Sequence, residues 1–81
     1  MATWYVYVLR CGDGTLYAGV TTDVEARLAV HRSGKGARYT RGRGPLAVVH
    51  CESHPDRAAA LRRESEIKRM RRAAKLALTP A

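Results

Sequence analysis

The strongest constraint on this chain lies between Leu16 and His31. There a short run of β-formers, Leu16-Tyr17-Ala18-Gly19-Val20-Thr21, passes without a linker into a helical pattern. Gly12-Asp13-Gly14 precedes the run and supplies a turn that suits a hairpin or slightly longer loop. Thr22 with Glu25 three residues on fits a capping box, so the helix is expected to begin near Asp23, and Ser33-Gly34 offers its stop. Within it Val24, Leu28 and His31 fall at i, i+4 and i+7 and define the face turned to the core. Arg27 sits one turn before His31, beside that face, so both polar ends reach the same edge of the sheet. Gly19 inside a strand weakens it unless another group must approach the backbone there.

Eighty-one residues bound the answer to one domain, 1–81, with a marginal core built partly from aromatic side chains. No apolar run approaches the roughly 20 residues of a membrane span. The opening Met-Ala-Thr-Trp-Tyr lacks the basic start and apolar stretch of a signal peptide, which points to a cytoplasmic protein without membrane partners. In that compartment Cys11 and Cys51 are expected to be reduced. With His50 and His54 they lack the paired spacing of a metal site. Net charge is +8, unevenly placed: residues 1–31 hold two basic and three acidic side chains, residues 32–81 thirteen basic and four acidic. Charge separated in this way suits an acidic partner, nucleic-acid phosphate above all, against the blander reading of a solvated basic face.

The first strand, Trp4-Tyr5-Val6-Tyr7-Val8-Leu9, is apolar on both faces and reads as interior. Paired antiparallel with Leu16–Thr21, it brings Tyr7 near Tyr17; such a pair is ordinarily core packing with hydroxyls at the rim. Residues 34–44 hold four glycines, four basic residues and no acid. Lys35, Arg38, Arg41 and Arg43 suit a flexible or branched nucleic-acid backbone, with Tyr39 available to stack on a base, or the segment is a plain exposed connection. Pro45 opens a third strand, Leu46–Cys51, whose His50 reads as a packed, hydrogen-bonded histidine. Ser53-His54-Pro55-Asp56 is helix-start chemistry, and a long basic helix follows. Ala60, Leu61, Glu64 and Ile67 form its inward stripe, while Glu66 faces solvent. A carboxylate on such a stripe needs a reason: a salt bridge to Arg27 or a neighbour, or a metal ion. Met70–Leu78 continues or restarts as a short helix whose Leu76 and Leu78 help close the core, and Arg71, Arg72 and Lys75 extend the charged surface.

Tyr5-Val6-Tyr7, Tyr17-Ala18-Gly19, Arg27, His31 and the segment Ala60–Lys68 around Glu64, in this order and spacing, resemble the GIY-YIG nuclease domain, most closely its small stand-alone bacterial members. The resemblance covers Trp4 to Leu78. Tyr5 stands where the name-giving glycine would be and Ala18 where isoleucine would, and neither position carries a polar catalytic group. It implies an α+β fold, β-β-α-β-α(-α), with a three-stranded sheet flanked by helices. It also implies a metal-dependent endonuclease acting on DNA, branched or damaged structure included; DNA is favoured over RNA, and sequence leaves that choice open. The alternative is a nucleic-acid-binding module with little activity of its own, working with a protein partner. Tyr7, Tyr17, Arg27, His31 and Glu64 are then the catalytic set. Lys35, Arg38, Tyr39, Arg41, Arg43 and Lys68 contact the nucleic acid, and Glu64 holds a single Mg²⁺ or Mn²⁺. Tyr17 is the favoured base or relay with Tyr7 beside it, provided the basic surroundings ease its ionisation. His31 orients water or a tyrosine, or is itself the base, and sequence leaves that choice open.

Overall fold

The computed structural model describes residues 3–33 and 45–78; the basic-loop residues Lys35, Arg38, Tyr39, Arg41 and Arg43 lie outside the described residues. Strand β1 (Trp4–Arg10) is the middle of a three-stranded antiparallel sheet between β2 (Leu16–Thr21) and β3 (Ala47–His54). Its apolar residues on both faces put it there, because an edge strand would leave one row unburied. Val6 and Val8 point to one face and join Ala18, Ala60 and Ile67; Tyr7 and Leu9 point to the other and join Cys11 and Leu46. Helix α2 (Arg57–Arg69) supplies Ala60 and Ile67 to the first cluster, and helix α1 (Val24–Arg32) supplies Val24 and Leu28 to the second.

The turn between β1 and β2 closes as its glycines suggest. Cys11 N–H donates to Thr15 O, Gly14 N–H donates to Cys11 O, and Gly14 takes φ +84°, a conformation that favours glycine. Asp13 Oδ1 accepts from the Thr15 amide and hydroxyl. At the start of α1 the N-cap is Asp23 rather than Thr22: its carboxylate accepts from the Ala26 amide at 3.0 Å, while the buried Thr21 hydroxyl accepts from the Asp23 amide at 3.1 Å. A carboxylate cap at the positive end of the helix replaces the expected hydroxyl–glutamate box. The helix ends at Ser33, whose amide donates to Ala29 O and whose hydroxyl donates to Val30 O. Arg32 then donates to Leu46 O, tying this end to the approach to β3.

Strand β3 runs from Ala47 to His54, beginning after Leu46 and ending three residues beyond the expected Cys51. The whole length of β1 is available as a ladder, so Ser53 pairs with Tyr5 and His54 with Trp4. Pro55 ends the ladder because it has no N–H to donate. Asp56 caps α2 by accepting from the Ala59 amide. Between Val8 and Leu9 the register shifts, and Val49 is the extra residue of a bulge. On the α2 side of this strand His50, Glu52 and His54 stand in a row. The imidazoles of His50 and His54 donate to Glu52, and Arg63 of α2 forks onto it, Nε to Oε1 at 2.9 Å and Nη2 to Oε2 at 3.1 Å. Met70 ends α2 in an extended conformation, and helix α3 (Arg72–Ala77) restarts as expected. Leu78 packs on the Val6–Ile67 cluster, and Arg72 donates to Gly14 O across the turn; the Leu76 side chain lies outside the described residues.

Ile67 is fully buried, so Ile67→Ala lowers the unfolding free energy by about 2–5 kcal/mol. Val30 is exposed, and Val30→Ala shifts it by no more than about 0.5 kcal/mol; urea denaturation of both variants checks the contrast. The Glu52 clamp predicts an acid limb. Burial pushes this carboxyl upward, but hydrogen bonds from Arg63, His50 and His54 outweigh it and bring its pKa from 4.5 down to about 2. Between those values the unfolded chain binds the extra proton, so the contribution is complete above pH 4.5 and is lost as pH falls toward about 2. Denaturation followed across that range shows a shallower acid limb for Glu52→Gln than for the wild type.

Candidate active site

Tyr7 and Gly19 are register partners across β1 and β2. The Tyr7 ring lies directly over the glycine: a Cβ built on Gly19 would stand 2.5 Å from Tyr7 Oη and 2.6 Å from Cζ. This is the close approach that a glycine inside a strand implies. Lying flat on the neighbouring strand, the phenol carries its hydroxyl toward α1 and shares a 3.1 Å hydrogen bond with His31 Nε2. Tyr17, one diagonal step along β2, completes a triangle, with its ring centroid 6.5 Å from Tyr7 and 5.3 Å from His31. Both contacts are tilted or edge-on, the arrangement ring quadrupoles favour. The His31 position follows from the period of α1: with Val24 and Leu28 it lies on the inward face, and the imidazole is buried.

Two charges act on these rings. Arg27, exposed one turn before His31 on α1, acts on all three. Glu64 comes from α2 on the other side of the sheet, yet its charge acts on both phenols. Burial, followed by the neighbouring Tyr17 phenol, pushes Tyr7 up to about 12; burial and Glu64 raise Tyr17, with Arg27 opposing in both cases. Arg27 eases ionisation of both tyrosines, but desolvation is the larger effect, and both phenols are held above their ordinary value. His31 moves the opposite way: burial, then Arg27, lower it, which keeps the imidazole neutral at neutral pH. In the tautomer protonated on Nδ1, His31 Nε2 accepts the hydrogen bond that the Tyr7 hydroxyl donates.

Glu64 is partly exposed, with Lys68 Nζ 3.7 Å from its Oε2, so the neighbour it pairs with is Lys68 rather than Arg27. Lys68 itself is exposed, and Glu66 faces solvent as expected. The expected packing of His50 holds, with Glu52 as its partner. Cys11 is buried in the core and Cys51 exposed on β3, both free. Glu52 and Arg63 were not singled out by the sequence; the signal was the i, i+2, i+4 row His50, Glu52, His54, which places all three on one face of a strand.

The model of the GIY-YIG catalytic domain family matches residues 3–77. The chain belongs to the GIY-YIG family. Over 73 residues it is 55% identical to a UPF0213 protein of Streptococcus sanguinis, covering 90% of this chain and 84% of that one. A UPF0213 protein of Natronomonas pharaonis is also 55% identical, over 74 residues and 91% and 87% of the two chains. Among solved structures, an E. faecalis protein determined by solution NMR matches with TM-score 0.66 and 40% identity over 94% of this chain and 81% of that one. The NMR structure of a UPF0213 protein from Bacillus halodurans matches with TM-score 0.57 and 49% identity over 90% and 78%.

GIY-YIG is a nuclease family, and its nucleases are generally metal-dependent. Among the described residues no group of three or more His, Cys, Asp or Glu is placed to hold a metal ion. The carboxylate whose charge acts on the two phenols, Glu64, is partly exposed on α2. A carboxylate donor of this kind fits a hard cation that keeps most of its ligands as water and substrate oxygen, and not a closed nitrogen–sulfur cage. Also among the described residues, no helix is long and apolar enough to cross a membrane.

Gly19→Ala forces the Tyr7 ring off its seat and breaks the Tyr7–His31 hydrogen bond. It is expected to cost about 1–3 kcal/mol in denaturation and to move the His31 ring signals in an NMR spectrum. A variant with wild-type stability and unshifted His31 signals would contradict the packing described.

Proposed function

We propose that the protein is a divalent-metal-dependent endonuclease that hydrolyses phosphodiester bonds of DNA, branched or damaged structure included. One observation carries this reading: the rings of Tyr7, Tyr17 and His31 meet in one place, and the charges of Arg27 and Glu64 act there. Glu64 holds a single Mg²⁺ or Mn²⁺, which when bound supplies positive charge beside the scissile phosphate and acidifies water. Arg27 is a permanent cation with a planar fork, suited to non-bridging phosphate oxygens as charge builds on them. His31 is the resident base, since its neutral imidazole has a lone pair at neutral pH. Tyr7, whose hydroxyl donates to that lone pair, relays a proton from the attacking water to it, and Tyr17, kept protonated, passes a proton or holds the water by hydrogen bond.

Lys68 with Lys35, Arg38, Arg41 and Arg43 neutralises the DNA backbone, and Tyr39 stacks on a base, so binding weakens steeply with salt. The Lys68–Glu64 ion pair favours a second reading, a nucleic-acid-binding module that becomes active only with a protein partner, because Lys68 competes with a cation for the carboxylate.

Incubation with nicked, branched and single-stranded DNA, with Mg²⁺ or Mn²⁺ and with chelator, separates the two. Cation-dependent cleavage that falls by about 10²–10³ in Glu64→Gln and in Arg27→Ala is the expected result. Binding that persists without cleavage under every condition selects the second reading. Equal cleavage by the wild type and both variants removes the nuclease reading altogether.

A further inference from the structure

Arg63 and Glu64 are neighbours in sequence but lie on opposite flanks of α2. Ala60 and Ile67 mark the line of the helix that faces the sheet, and at 3.6 residues per turn Arg63 and Glu64 each stand about 50° to either side of it. Arg63 leans to β3, where it grips Glu52, and Glu64 leans to β2, where its charge is felt at Tyr17. These two strands are the opposite edges of the sheet.

We propose that Glu52 is a positioning residue for the active site: by holding Arg63 it fixes the rotation of α2 about its own axis, and so sets where Glu64 stands beside Tyr17. The inference rests on the reading of Glu64 as the cation-holding carboxylate. Apolar burial of Ala60 and Ile67 holds the helix down but is non-directional. The fork onto Glu52 is directional, with Arg63 Nε 2.9 Å and 3.2 Å from the two carboxylate oxygens and Nη2 3.1 Å from Oε2. Glu52 is itself held by His50 at 2.9 Å and His54 at 3.1 Å, so the anchor does not swing. Glu66 meets Arg63 from its exposed side, at 3.3 Å. A turn of about 10° moves a group at the rim of a helix about 1 Å. A misplacement of that size costs as much as about 10²-fold in an active site.

Two readouts test this at a temperature where each variant is folded by circular dichroism. The first is kcat and KM on whichever DNA the wild type cleaves. The second is the broadening by Mn²⁺ alone of the Tyr17, Ala18 and Gly19 amide signals in a ¹⁵N-labelled protein. Glu52→Gln and Arg63→Lys are expected to lower kcat about 10-fold or more, leave KM within about 2-fold, and weaken the broadening. Glu66→Gln, which touches only the exposed side of Arg63, leaves both readouts as they are. Wild-type kcat and broadening in both Glu52→Gln and Arg63→Lys overturn the inference while leaving the nuclease reading intact. If Glu52→Gln does not fold, Arg63→Lys decides, since it keeps the charge and loses the fork. If the wild type shows no broadening and Glu64→Gln changes nothing, the underlying reading falls and the inference with it.

Discussion

A missing side chain organises this molecule. Because Gly19 has no Cβ, the Tyr7 ring can lie flat on the neighbouring strand instead of standing up from the sheet. Its hydroxyl then reaches the imidazole of His31 on α1, and the space beside it is filled by Tyr17. Three aromatic rings from three elements thus share one patch of sheet, with apolar edges packed and polar atoms grouped. The same packing that closes the core around Leu9, Val24 and Leu28 sets the distances between the polar atoms. Little tolerance exists there, since interiors are close-packed and an added methyl has nowhere to go.

The two faces of the sheet divide the work. Toward α1 the cluster ends in polar groups, and burial drives their protonation: phenols up, imidazole down. Toward α2 the cluster is apolar along Val6, Val8, Ala60 and Ile67 and is locked at its β3 edge by a carboxylate with three donor residues. In a domain this small an apolar core alone is marginal, so a polar clamp of this kind supports the fold as well as the placement of α2. The cost of desolvating Glu52 is offset only because Arg63, His50 and His54 all donate to it. Glu64 is the point where the two halves meet, anchored on the apolar side and acting electrically on the polar one.

Local signals carried most of the architecture. Glycines at the β1–β2 turn, the two-sided apolar pattern of β1, Asp56 before a basic amphipathic run and the i, i+4, i+7 face of α1 each name an element through backbone or burial physics. The errors fell at boundaries. Thr22 and Asp23 are both good caps, and the choice between them depended on Thr21 being buried and bonded to the Asp23 backbone. Strand β3 outran its apolar stretch because β1 offered partners as far as Trp4.

By itself the sequence determined which chemical groups are available and on which face of its own element each one stands, because strand and helix periods are local properties of the backbone. It also set the charge imbalance and the glycine that a close approach requires. Only the tertiary structure decided that burial outweighs Arg27 at the two phenols, that Lys68 is the near partner of Glu64, and that Glu52 and Arg63 join β3 to α2. Those outcomes depend on distances and desolvation between groups far apart in the chain, and a residue order contains neither until the sheet and its two helices have packed.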